Sequence, residues 1–209
     1  MNLGRPFSVV TPTLDGDVLS VLAGADAAFT APQVHRLLAR HSVEGVRNVL
    51  VRLTHEGIVT GDRVGRAVSY RLNRNHLAAP HVVAIAQLRD ALLVRLRETI
   101  ERWEIPPVFA ALFGSAATAA MHADSDLDIC VVRGDDIDPD APVWRAELDD
   151  LAAAATEWTG NDTRLLEVAE PEVARGIRSN DALFTDIRDE GLRLYGPPSY
   201  LHRRRSSRA

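Results

Sequence analysis

Lysine is missing altogether: all 24 basic residues are arginine. That excludes a Walker-type phosphate lysine and Schiff-base chemistry at a catalytic amine. Cysteine occurs once, as Cys130. An internal disulfide and a thiolate metal cluster are therefore ruled out, a reducing compartment is indicated, and Cys130 reads as a small core residue. No apolar run approaches the roughly 18 to 20 residues of a membrane span. The start "MNLGRPFSVV" lacks a basic-then-apolar leader with a small-residue cleavage site. The expectation is a cytoplasmic chain without a membrane partner. What is present is apolar material, 46% of 209 residues, enough for one large domain or two small ones.

The net charge of -5 hides an asymmetry. Residues 31–80 hold eight arginines (Arg36, Arg40, Arg47, Arg52, Arg63, Arg66, Arg71, Arg74) against Glu44, Glu56 and Asp62. Such a segment suits a polyanionic partner. Residues 111–190 hold nineteen acids against six arginines, which is too acidic for a nucleic-acid surface unless metal ions intervene. Two halves with different work are implied.

In the basic half, Leu14, Val18 and Leu22 fall at helical spacing and Gly24 closes the run. A second helix follows, with Thr30 as N-cap, Pro32 in its first turn and Val34, Leu37 and Leu38 inward. The third opens at Ser42, turns Val46, Val49, Leu50 and Leu53 inward, leaves Glu44, Arg47, Asn48, Val51 and Arg52 outward, and ends at Gly57. Two short strands, 58–60 and 67–72, then flank a turn with Gly61, Gly65, Arg63 and Arg66. Three helices and a basic strand pair resemble a winged helix-turn-helix. The resemblance implies that the third helix enters the major groove of double-stranded DNA through Arg47, Asn48 and Arg52, with the wing arginines Arg63 and Arg66 at phosphate or the minor groove. A small bundle with a hairpin that binds another protein is the competing reading.

Beyond a proline-containing break, Ile85, Leu88, Leu92, Leu96, Ile100 and Trp103 recur at spacings of three and four, which predicts one long helix ending at "IPP". Its stripe can pack within the chain or, in part, against a second copy as a homodimer.

The acidic half carries the sharper question. "LFGSAATAAMHADSDLDICVV" sets a Gly-Ser pair after an apolar strand and then Asp126 and Asp128 two apart in a hydrophobic stretch. Alternation along a strand puts both carboxylates on one face, where they repel unless a cation lies between them, and hard divalent ions prefer oxygen ligands. A short helix through about Met121 is expected after Gly114 and Ser115, so that glycine, hydroxyl and helix N-terminus face a polyphosphate.

Gly-Ser, ten residues, then Asp-x-Asp resembles the signature of the DNA polymerase β-like nucleotidyltransferases, in particular their minimal branch, over residues 107–196. The resemblance implies two-metal transfer from a nucleoside triphosphate to a protein or RNA hydroxyl, with Mg²⁺, or Mn²⁺ in its place, held by Asp126 and Asp128, and the phosphates at Gly114 and Ser115. It also implies a third carboxylate on a later strand, and a toxin–antitoxin setting. Glu167, which shares a face with Leu165, is the first choice for that carboxylate, with Asp162 and Glu170 behind it; an edge strand with one exposed glutamate is the plainer reading. The stretch "AATAA", Ala116 to Ala120, departs from the family's arginine-containing, glycine-terminated pattern. The expected fold class is α+β: an N-terminal winged helix-turn-helix over 1–80, a long linker helix over 81–104, a nucleotidyltransferase-like α/β domain with a small mixed sheet over 105–197, and a disordered basic tail over 198–209. The alternative function is a DNA-binding regulator whose nucleotidyltransferase-like half is catalytically degenerate.

Overall fold

A computed structural model describes residues 1–118 and 120–202. The chain is α+β and divides into two units, one made of Asn2 and Gly4–Arg89, the other of Met1, Leu3 and the chain from Asp90 onward.

In the first unit a short 3-10 turn precedes α1 (Leu14–Ala23), β1 (Phe29–Thr30), α2 (Ala31–Leu38), α3 (Val43–His55), β2 (Val59–Val64), β3 (Ala67–Leu72) and α4 (Ala79–Ala86). Sequence chemistry sets the helix starts. The Thr30 backbone N donates to Gln33 Oε1 at 2.7 Å, and Ser42 Oγ accepts from the Gly45 backbone N at 3.0 Å. Each such cap satisfies a donor the helix leaves open and stabilises it by about 1 kcal/mol. Val46, Leu50 and Leu53 of α3 meet Val18, Leu22, Val34, Tyr70 and Leu72 in one core, while Glu44, Arg47, Asn48, Val51 and Arg52 stay exposed, as the spacing predicts.

The antiparallel sheet runs β1-β3-β2. Two features differ from expectation. The two-residue β1 had no sequence signal. The first wing strand also reaches Val64, so Gly61 and Arg63 pair with Tyr70 and Val68, and Gly65 with Arg66 alone forms the turn. The bare Gly61 admits the Tyr70 ring, because a Cβ there would lie 3.3 Å from Tyr70 Cε1.

The expected single linker helix is two. It breaks at Gln87 (φ -96°, ψ 12°) between α4 and α5 (Leu88–Ile100). Val82 and Ile85 pack in the first unit's core, whereas Leu92, Leu96, Ile100 and Trp103 pack in the second's. The apolar stripe keeps its phase across the break, so periodicity cannot reveal that it serves two cores.

The second unit continues from α5 through β4 (Phe109–Phe113), β5 (Leu127–Arg133), α6 (Pro142–Thr159), β6 (Thr163–Ala169), α7 (Glu170–Ser179), α8 (Ala182–Glu190) and β7 (Leu192–Tyr195). Its mixed sheet is ordered β6-β5-β4-β7, with β5 and β6 parallel and the other pairs antiparallel. Helix α6 provides the crossover that a parallel pair requires. One face buries Leu112, Leu127, Ile129 and Val131 against Leu96, Trp144, Leu148 and Leu151. The other buries Ala111, Cys130 and Val132 against Val173, Phe184 and Ile187. Burial on both faces explains the near-continuous apolar strands "FAALF" and "DICVV".

Tyr200 stacks on Phe109 with centroids 5.1 Å apart, and Leu201 is buried, so the segment expected as a tail from 198 is packed as far as Leu201. The rest of that expected tail, residues 203–209, lies outside the described residues. No helix among them is long and apolar enough to cross a membrane.

Candidate functional site

Strand β4 delivers its last residue, Phe113, opposite Asp128 of β5. The chain then turns at Gly114 with φ +67°, where a Cβ would stand 3.0 Å from Asp128 Oδ2. A side chain here would be strained and would also crowd the carboxylate. The Gly-Ser turn and the aspartate pair thus meet, as the sequence predicts.

No α-helix follows, however. Gly114–Ala116 is a single 3-10 turn, closed by the Ala117 and Thr118 backbone N–H groups on Gly114 O at 3.2 and 3.3 Å. Ala116, Ala117 and Met121 are buried. Ala116 and Ala117 fold inward, while Ala120 is exposed, and among the described residues of this stretch there is no helix N-terminus to face a phosphate. Ala119 lies outside the described residues.

Asp126 stands one residue ahead of β5 and Asp128 lies within it, on the face of Cys130 and Val132. Burial pushes the Asp128 carboxyl above its ordinary value, the Asp126 charge adds to this, and Arg164 pulls it back. The two carboxylates therefore feel each other. The loop ahead of them is pinned by buried Asn161, whose Nδ2 donates to Ala123 O at 2.9 Å and Ser125 O at 2.8 Å. Asn161 was not singled out in the sequence; polar residues after a helix-ending glycine usually read as loop.

Glu167 is a correction. It pairs in register with Val131, and so projects from the opposite face of the sheet to Asp128. There it accepts from Trp144 Nε1 at 3.1 Å, from Arg133 Nε at 2.9 Å and from Arg145 Nη1 at 3.3 Å. It ties α6 to the sheet and does not reach the aspartate pair. The residue opposite Asp128 on β6 is Arg164, whose Nη1 lies 2.8 Å from Asp126 Oδ2 and whose Nε lies 3.8 Å from Asp162 Oδ2. Alternation along β6 separates Arg164 from Glu167, but only the register with β5 tells which of them joins the aspartates. Glu170 opens α7 and lines a separate cavity of about 930 Å³ with Val173, Ile177 and Tyr200.

Among the described residues no group of three or more His, Cys, Asp or Glu is arranged to hold a metal ion. The donors offered at Asp126 and Asp128 are two carboxylates, hard oxygen groups of the kind a divalent ion would take, with its other ligands to come from elsewhere. Cys130 is buried and its thiol is pushed up to about 12, so it is inert, as a core residue should be. Trp144 is core too, edge-on to Trp103 at 5.6 Å, and half-buried Trp158 carries Arg95 over its ring at 5.7 Å.

In the first unit Arg47, Asn48 and Arg52 are exposed along α3, and Arg63 and Arg66 along the wing. Arg47 pairs with Glu44 at 2.8 Å and Arg52 pairs with Asp15. Exposed pairs of this kind add little to stability.

The chain matches no family model and no curated protein. Among solved structures it is similar to a doubly substituted mutant of the toxin–antitoxin MntA–HpeT, with 19% identity over 50% of this chain and 73% of that one and a TM-score of 0.35. It is also similar to a toxin–antitoxin crystallised with AMP-PNP, with 21% identity over 54% of this chain and 77% of that one and a TM-score of 0.34. Overlaps this loose assign no activity.

Proposed function

We propose that the second unit binds a nucleoside triphosphate with Mg²⁺ at Asp126 and Asp128 and transfers its nucleotide to a protein or RNA hydroxyl, while the first unit binds double-stranded DNA. The observation that carries this is the turn at the bare Gly114, where an added Cβ would stand 3.0 Å from the Asp128 carboxylate, with Asp126 close enough to raise the Asp128 pKa. Gly114 keeps the backbone bare beside the aspartates, Ser115 supplies a hydroxyl donor, and the two aspartates supply hard oxygen ligands. Mg²⁺, when bound, neutralises that pair and stabilises charge on the reacting phosphate. The acceptor hydroxyl attacks the α-phosphorus and gives its proton to water, the bond from that phosphorus to the α,β-bridging oxygen breaks, and pyrophosphate leaves. A toxin–antitoxin pair is the setting the motif's resemblance suggests.

A second reading has its own support: Arg164 stands opposite Asp128 where a third carboxylate would complete the site. On that reading the chain is a DNA-binding regulator that holds a nucleotide without transferring it. Incubation with α-labelled nucleoside triphosphates, Mg²⁺ and cell extract separates the two. Label on a macromolecule with wild type and none with Asp128→Asn supports transfer; nucleotide binding without label supports the regulator.

A further inference from the structure

We propose that Arg164 is an internal cation that withholds Asp126 from a divalent ion until a metal-bound nucleotide displaces it. The inference rests on the reading of Asp126 and Asp128 as metal ligands and adds a regulator to that site.

Opposed residues of a ladder project from one face, so the register of Asp128 with Arg164 brings the guanidinium to the aspartate pair. Its Nη1 takes Asp126 Oδ2 at 2.8 Å. That oxygen belongs to one of the two carboxylates a bound cation would bridge. A guanidinium and a divalent ion repel at contact distance, so an ion at the pair competes with Arg164.

The arrangement is also reversible. The Arg164 side chain is 66% exposed against 30% for Asp126, and an ion pair with one partner so open to water is weak. Asp162, 3.8 Å from Arg164 Nε and itself exposed, offers the displaced guanidinium another carboxylate. Arginine stays charged across the working pH range. The block is therefore lifted by competition and not by deprotonation.

The test titrates full-length protein with Mn²⁺ alone, following the electron paramagnetic resonance signal of free Mn²⁺. Arg164→Gln is expected to bind Mn²⁺ about threefold more tightly than wild type, or better, since it removes both the pairing and the repulsion. Arg164→Lys, which keeps the charge, should stay closer to wild type than the glutamine variant does. Asp126→Asn should erase the gain. Melting curves of each variant confirm that it is folded. Equal or weaker Mn²⁺ binding by Arg164→Gln overturns the block while leaving the metal site standing. Failure of both wild type and Arg164→Gln to bind at millimolar Mn²⁺ overturns the metal site and the block with it.

Discussion

At the scale of the residue, the account turns on which carboxylate faces what. Asp128 is half-buried beside Asp126, and burial first, then that neighbour, raises its pKa. Its unfolded value is about 3.9, so the stability it contributes is fully present below that pH and is lost as pH rises through the higher folded value. Asp128→Asn should therefore melt above wild type at pH 7, with the difference vanishing below about pH 4, where Asp128 is protonated in both states. Thermal melts across that range check the sign. Glu167 predicts the opposite effect of substitution on stability. It holds Arg133, whose side chain is 14% exposed, together with Trp144 and Arg145. Glu167→Gln should lower stability by about 1–2 kcal/mol, because Arg133 loses its countercharge. It should leave Mn²⁺ binding unchanged in the same titration used for Arg164. The closeness of the aspartate pair was legible in the sequence because the two lie two residues apart, although Asp126 stands just ahead of the strand that holds Asp128. The exclusion of Glu167 was not legible, since the parallel register between β5 and β6 leaves no mark in either strand.

At the scale of the element, local chemistry was read well where it is strong. Thr30, Ser42, Gly57 and most apolar positions of α1 to α3 locate those helices, because capping and 3.6-residue periodicity act within a few residues, although Leu37, expected inward, is 61% exposed. Tertiary packing decided the rest. The two-residue β1 exists only through its pairing with β3. The turn after Gly114 is drawn inward by burial of Ala116, Ala117 and Met121 in place of a helix. The break at Gln87 has a direct experimental consequence. Val82 is buried in the first core and Ile85 packs on it, so a fragment ending at residue 80 should be markedly less stable than one ending at residue 89. Losing one buried Val and one half-buried Ile costs about 2–4 kcal/mol by area burial. Denaturant unfolding of the two fragments measures it; equal midpoints would show that α4 adds nothing to that core.

At the scale of the whole molecule, the sequence divides by charge, and the backbone divides into two units near the same place. The first carries exposed Arg47, Arg52, Arg63 and Arg66 on α3 and the wing. If these meet DNA, affinity should fall with added salt, and Arg63→Ala or Arg66→Ala should each lower the salt slope by about 1 without altering sequence preference. Arg47→Ala, at a base edge, should cost about 1–3 kcal/mol and relax preference. Fluorescence anisotropy against duplexes at several salt concentrations reads both. The second unit carries the central claim, that Asp126 and Asp128 hold a metal-bound nucleotide against the Gly114 turn. A ligand that binds only the folded state stabilises it by about 2.7 kcal/mol at a hundred times its Kd. The most direct measurement is the melting temperature of the full-length protein with a nucleoside triphosphate and Mg²⁺ together, against either alone. The account predicts a rise of several degrees that requires both and disappears in Asp128→Asn; a wild-type curve unmoved at millimolar Mg²⁺ and nucleotide would contradict it.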